Sequence, residues 1–239
     1  MQKLLHGDCL ELMKEISDNS IDLVLVDPPF QKTQNKWDTM IDPAKMWEQY
    51  KRITKQNAAI VIFCMQPFTS ILVSSNLSMF KYDWVWRKPK GTGHLNAKKQ
   101  PMRDKEDILV FYEKQCTYNP QMTSGTPYKN KAGKDHTAIT SMSDNYGNYT
   151  NFRNENTGFR YPKQVIDFPV VERNLHHPNE KPLILLEYLI KTYSNEGDLI
   201  LDNCMGSGTT CLGAKNLNRK FIGIEKNKEY FEIAQKRIL

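Results

Sequence analysis

The 239-residue sequence predicts an α/β fold with a mostly parallel sheet flanked by helices. Short apolar runs such as Ile21–Val26 and Ala58–Cys64 read as strands buried on both faces, as parallel strands are. Stretches of helical period alternate with them. Two of the strands run into turns bearing acidic residues with prolines or glycines, and open α/β sheets bind ligands at such strand ends.

In chain order, a short strand near Lys3–His6 and a helix around Cys9–Ile16 precede the strand Ile21–Val26. Residues 44–56 have helical period, and Ala58–Cys64 is the next buried strand. A helix follows over Phe68–Leu77, then Tyr82–Trp86 alternates as a strand does, and Ile108–Tyr112 is another apolar run. From 114 to 172 the periodicity fades into Asn, Thr, Ser, Gly, Tyr and Lys, with aromatics interleaved among polar groups in Asn145–Arg153. That stretch reads as an insertion outside the core. Order returns with a helix at Pro182–Lys191, a strand Asp198–Leu201, a helix over 209–217, a strand Lys220–Ile224 and a last helix Lys228–Ile238. The expected organisation is two halves of one domain, 1–113 and 173–239, around an insertion, 114–172.

Composition excludes some classes. No run of eighteen apolar residues suggests a membrane span, and Met1–Asp8 is too short and polar for a signal peptide. The five cysteines are odd in number and lack C-x-x-C spacing, which points to buried free thiols in a reducing compartment and to no metal site. The net charge of +6 is concentrated: twelve Lys/Arg stand against five Asp/Glu between Lys81 and Lys134. A basic stretch of that kind suits a polyanion, although charge alone equally describes a solvated loop.

Asp27-Pro28-Pro29-Phe30 follows a buried strand. The prolines have fixed φ and no N–H, so the turn offers acceptors without competing donors. Such a site suits a ligand that brings donors, for example the exocyclic amine of a nucleobase; by itself the tetrapeptide is equally a proline-rich turn. The second turn, Asp202 to Thr210, contains Gly206, Ser207 and Gly208, and Thr209 or Thr210 is placed to cap the following helix. Glu225, ending the next strand, suits ribose hydroxyls. Neither G-x-G-x-x-G nor a phosphate-loop lysine is present, so a nucleoside without phosphates fits better than ATP or NAD.

Four separated segments now make a pattern: Gly7-Asp8-Cys9-Leu10, Asp27–Phe30, His177-Pro178-Asn179-Glu180-Lys181-Pro182, and Asp202–Thr210. In this order they resemble the β-type, permuted DNA amino-methyltransferases that use S-adenosylmethionine, over residues 3–112 and 173–239. The resemblance implies a Rossmann-like methyltransferase fold in which the target-recognition region is the insertion. It implies a cofactor site of Asp8, Cys9, His177, Lys181, Pro182, Asp202, Cys204, Gly206, Ser207, Gly208, Thr209, Glu225 and Lys226. Within it Gly206 and Gly208 would line the methionine part with Asp202 near its amino group. Glu225 would hold the ribose, Asp8 would accept from the adenine amine, and His177, Lys181 and Pro182 would help close the pocket. Asn203-Cys204 stands where the family usually has Pro-Phe, and Phe30 where it more often has Tyr. Permutation further implies that the two chain ends lie on adjacent sheet elements.

On this reading the catalytic residues are Asp27, Pro28, Pro29 and Phe30. Asp27 and the Pro28 carbonyl would each accept an N–H of the target amine, and Phe30 would stack on a base flipped from the duplex. S-adenosylhomocysteine would be the product and no metal is needed. Asp in this motif leans to adenine N6 in the family and Ser to cytosine N4; cytosine C5 chemistry would need a nucleophilic cysteine, and the chain has no Pro-Cys dipeptide. Arg87, Lys88, Lys90, Lys98, Lys99 and Arg103 would contact phosphates of double-stranded DNA. A cytoplasmic, bacterial or phage-borne protein is implied, and the resemblance leaves open a homodimer and a cognate restriction endonuclease. Two other readings are a non-catalytic S-adenosylmethionine-binding DNA reader and an RNA or protein-glutamine methyltransferase; the acceptor turn argues against the first, and Asp27 with the permuted order against the second.

Overall fold

A computed structural model describes residues 2–30, 40–129, 139–143, 147–151, 155–171 and 179–239. The chain divides into two units, Met1–Asn119 with Lys163–Leu239, and Pro120–Pro162. The compact insertion is thus narrower than 114–172.

The first unit begins with β1 (Gln2–His6), α1 (Cys9–Leu12), β2 (Ile21–Val26), α2 (Pro43–Ile53), β3 (Thr54–Cys64), α3 (Phe68–Ser75), β4 (Phe80–Thr92) and β5 (Arg103–Phe111). Among its described residues the second unit holds three antiparallel pairs made by β6 (Thr123–Ser124) with β11 (Phe159–Arg160), β7 (Tyr128–Lys129) with β10 (Glu155–Asn156), and β8 (Ile139–Ser143) with β9 (Gly147–Asn151). The first unit resumes with β12 (Val165–Asp167), α4 (Leu183–Tyr193), β13 (Leu199–Asp202), α5 (Thr209–Asn216), β14 (Lys220–Glu225) and α6 (Lys228–Ile238).

Local chemistry sets the boundaries. Asp8 caps α1 by accepting from the Leu10 N–H at 3.0 Å, and the helix tightens into a 3-10 turn at Met13–Glu15 instead of running on to Ile16. Asp42 caps α2 and Pro43 fills its first turn. That helix stops at Ile53 because Thr54–Gln56, expected to be helical, already belong to β3; Thr54 Oγ1 donates to the Tyr50 carbonyl at 2.7 Å.

The sheet order is β1-β14-β13-β2-β3-β5-β4-β12, parallel except that β5 runs against both neighbours. Period-2 alternation divides the buried strands between two cores. Leu23, Leu25, Val61 and Phe63 meet Leu185, Leu189, Ile190 and Tyr193 of α4 on one face. Val24, Val26, Ile60 and Ile62 meet Met46, Trp47 and Tyr50 of α2 and Leu72 of α3 on the other. Each fully buried aliphatic side chain contributes about 1.5–3 kcal/mol, so both faces drive assembly. The stretch 114–172 is not wholly outside this core: Cys116 and Ile166 are buried in it, and β12 adds a parallel edge strand beside β4. A three-residue strand in a polar context carries too little alternation to be seen in the sequence.

β1 pairs in parallel with β14 from Gln2–Phe221 to His6–Glu225, and the Gly7 N–H donates to the Glu225 carbonyl at 3.0 Å. The two chain ends are therefore neighbours, as the permuted order implies. From β13 the chain crosses to β14 on one side, while from β2 it crosses to β3 on the other. The switch point lies between β13 and β2, where the carboxyl ends of adjacent parallel strands open a crevice.

Candidate active site

A cleft of about 930 Å³ sits at this switch point. Its walls include Gly7–Leu10 after β1, Asp27–Phe30 after β2, Asn179–Lys181 before α4, Asp202–Ser207 after β13, and Glu225–Asn227 after β14. The acceptor turn and the glycine turn thus share one cavity.

Asp202, the last residue of β13, is 4% exposed. It accepts from the Cys204 N–H at 3.1 Å and from the Thr210 hydroxyl, and it has no cation partner among the described residues. Burial pushes its pKa up to about 7. Glu225 is also raised by burial; its Oε2 accepts from the Gly206 N–H at 2.9 Å and its Oε1 from the Asn227 N–H at 2.6 Å, tying β14 to the glycine turn. Gly206 has φ +51° and lines the cleft. Gly208 does not line it. With φ +82° it is itself the N-cap of α5, and a Cβ there would lie 2.4 Å from Ile238 Cδ1. Its missing side chain lets α6 approach, which corrects the expected ligand-lining role. The threonines do not cap α5 either: the Thr209 hydroxyl donates to Glu180 Oε1 at 2.9 Å.

At the other wall Asp8 uses Oδ1 for its cap and Oδ2 for Lys226 at 3.1 Å. Burial would raise its pKa, but the bonds from Lys226 and the Leu10 N–H bring it below the ordinary value. Cys9 and Cys204 both line the cleft, and Asn203 accepts from the buried Tyr50 hydroxyl at 2.7 Å, which explains a polar residue at that position. Ser207, 2% exposed, accepts from Arg237 at 3.2 Å.

Asp27 lines the same cleft. Lys181 Nζ is 2.5 Å from its Oδ2 and 2.9 Å from Glu106 Oε1; Lys88 Nζ is 2.7 Å from Glu106 Oε2. Among the described residues, Asp27 Oδ1 is buried with no hydrogen-bond partner. Such an acceptor costs about 1–3 kcal/mol and calls for a functional explanation. Burial pushes the Asp27 pKa up to about 6 against the pull of Lys181, with Glu106 adding to the rise. Lys181 moves up, because its two carboxylates outweigh the cost of burial. Pro28 is buried, Pro29 is half-buried, and the Phe30 ring packs on Phe68 with centroids 4.9 Å apart while still lining the cleft. Pro182 is the N-cap of α4, and His177 lies outside the described residues.

Of the basic residues, Lys90, Lys98, Lys99 and Arg103 are exposed on or between β4 and β5, with Arg103 lining the cleft. Arg87 makes a two-point pair with Asp167 on β12, at 2.6 and 2.8 Å. Lys88 turns inward to Glu106 and lies 4.7 Å from the Trp86 ring centre, so its charge is engaged inside the site, unlike the phosphate contact expected for it. Two features escaped the sequence. One is Glu106, whose signal was a carboxylate abutting an apolar strand. The other is Glu180 with Arg237: they pair at 2.7 Å, and Arg237 also donates to Thr209 Oγ1 at 3.0 Å, pinning the 179–182 turn to the start of α5. Among the described residues no group of three His, Cys, Asp or Glu could hold a metal, and no helix is long and apolar enough to cross a membrane.

The three-layer sheet and a nucleoside-sized cleft with buried acidic groups at its strand ends define the class of S-adenosylmethionine-dependent methyltransferases. The residues fit that cofactor: Asp202 is a buried carboxyl group with no cation partner among the described residues, and Gly206 lines the cleft with it. Within the class, the chain belongs to the N6_N4_Mtase family of DNA methylases, whose model matches residues 21–236. It is 30% identical over 256 residues to the type II methyltransferase M.HpaI of Haemophilus parainfluenzae, covering 99% of this chain and 74% of that one. It is 29% identical to the DNA adenine methyltransferase YhdJ of Escherichia coli K12, covering 98% and 82%. Among solved structures, the M1.HpyAVI–SAM complex matches with a TM-score of 0.66 and 27% identity, over 99% of this chain and all of that one. The cytosine-N4-specific PvuII DNA methyltransferase shares the fold, with a TM-score of 0.68 at 19% identity.

Proposed function

We propose that this DNA methyltransferase modifies the exocyclic amine of a base turned out of duplex DNA, and that the base is adenine. The observation that carries the reading is Asp27: one carboxylate oxygen held by Lys181 and the other an acceptor without a donor among the described residues, in the same cleft as the glycine turn. Bound S-adenosylmethionine supplies an electrophilic methyl group on a sulfonium. Asp202 balances the ammonium charge of its methionine part, Glu225 and Asp8 offer acceptors to the nucleoside, and the 179–182 turn closes over it. Asp27 Oδ1 and the Pro28 carbonyl each accept an N–H, which orients the nitrogen lone pair for in-line attack. The charge that develops on the nitrogen is stabilised by the carboxylate, which also receives the proton it sheds.

Phe30, which lines the cleft, would stack on the extruded ring, at about 1–3 kcal/mol per base. Exposed Lys98, Lys99 and Arg103 would bind phosphates, and the unit Pro120–Pro162 would read sequence. The setting is a cytoplasm. The YhdJ relationship and Asp27 favour adenine N6. Modification-sensitive sequencing of exposed DNA tests this: N6-methyladenine at a fixed motif is expected, and N4-methylcytosine would overturn the base assignment.

A further inference from the structure

Four charged side chains from four elements form an alternating row: Lys88 on β4, Glu106 on β5, Lys181 before α4, and Asp27 after β2, at successive separations of 2.7, 2.9 and 2.5 Å. Glu106 is 3% exposed, Lys181 11% and Lys88 18%. Burying a carboxylate this far costs several kcal/mol, and an ion pair seldom stabilises a fold more than apolar residues of the same size would. Stability therefore gives no reason for Glu106, whereas its place does. An ammonium facing Asp27 alone would be free to straddle both carboxylate oxygens. Glu106 Oε1, at ion-pair distance from the ammonium but outside hydrogen-bond geometry, draws it to one side by charge, and among the described residues Asp27 Oδ1 keeps no partner.

We propose that Glu106 is a positioning residue for methyl transfer: with Lys88 as its second cation, it holds Lys181 on one oxygen of Asp27 so that the other meets the amine. The inference rests on the amino-methyl-transfer reading above. It also sets how basic Asp27 is. Among the described residues, the charged groups facing Asp27 are Lys181, Glu106 and Lys88, with buried Asp202 across the switch point and the neutral Cys64 thiol on β3. Glu106 makes proton release from Asp27 harder and Lys88 makes it easier. Removing each charge should move the acid limb of the rate in opposite directions.

The test is single-turnover methyl transfer to duplex DNA at saturating S-adenosylmethionine, from pH 5 to 9, for wild type, Glu106→Gln, Glu106→Asp and Lys88→Gln. For Glu106→Gln the rate should fall on the order of 10²-fold, with cofactor and DNA affinities retained. Its acid limb should move down by about one pH unit. Lys88→Gln should move the limb up, and Glu106→Asp should recover part of the rate. A wild-type limb in Glu106→Gln, or shifts of the same sign in both variants, overturns the proposal. Should Glu106→Gln fail to fold, Lys88→Gln decides, and a limb unmoved or moved down refutes the role. Wild type yielding no methylated DNA would instead overturn the functional reading itself.

Discussion

Replacing Asp202 by Asn should stabilise the cofactor-free protein while weakening cofactor binding. Asp202 is buried with no cation beside it among the described residues, and its pKa is raised from the ordinary 3.8 to about 7. The folded state therefore holds this proton more tightly than the unfolded chain. The stability this proton confers is fully present below pH 4 and is lost as pH rises through about 7. At about 1.4 kcal/mol per pH unit, keeping the carboxylate ionised costs on the order of 4 kcal/mol at pH 8. Asn keeps an oxygen for the Cys204 N–H and carries no charge. Urea denaturation at pH 8 should find the variant more stable by that amount, with the difference shrinking toward zero near pH 4. Calorimetry with S-adenosylmethionine should show affinity falling at least about tenfold, since the ligand's cation loses its counter-charge. A variant less stable than wild type at pH 8, or one binding cofactor normally, would refute the reasoning.

Other substitutions probe the frame around the site. Arg237→Met leaves Glu180 charged and without its guanidinium at 4% exposure, so denaturant melts should report a loss of about 3–5 kcal/mol, and adding Glu180→Gln should restore part of it. Gly208→Ala combines a left-handed φ with a Cβ against Ile238 and should cost at least about 2 kcal/mol by the same measurement. The Lys98→Ala/Lys99→Ala pair should lower DNA affinity and flatten its dependence on log salt by about 0.9 for each phosphate no longer neutralised, leaving cofactor binding intact.

The sheet was legible because its strands are buried on both faces, so Leu23–Val26 and Ala58–Cys64 announce themselves as uninterrupted apolar runs. The two strand-end turns were legible because their chemistry is local: acidic residues beside prolines or glycines. What stayed hidden depends on long-range pairing. Glu106 meets Lys181 across 75 positions and Arg237 meets Glu180 across 57, and nothing in either local pattern names its partner. The role of Gly208 was hidden for the same reason, since the side chains that need its missing Cβ, Ala234 and Ile238, come from the last helix. Lys88 looks like one of a basic series until β5 places a buried carboxylate beside it.

Nucleoside mass spectrometry of duplex DNA incubated with the protein and methyl-labelled S-adenosylmethionine tests the central claim most directly, with Asp27→Ala in parallel. The label should appear in N6-methyladenine, and the variant should lose about 10²–10⁴-fold in rate while binding cofactor as wild type does. Label in 5-methylcytosine, or an Asp27→Ala protein as active as wild type, would contradict an amine-methylating site built on Asp27.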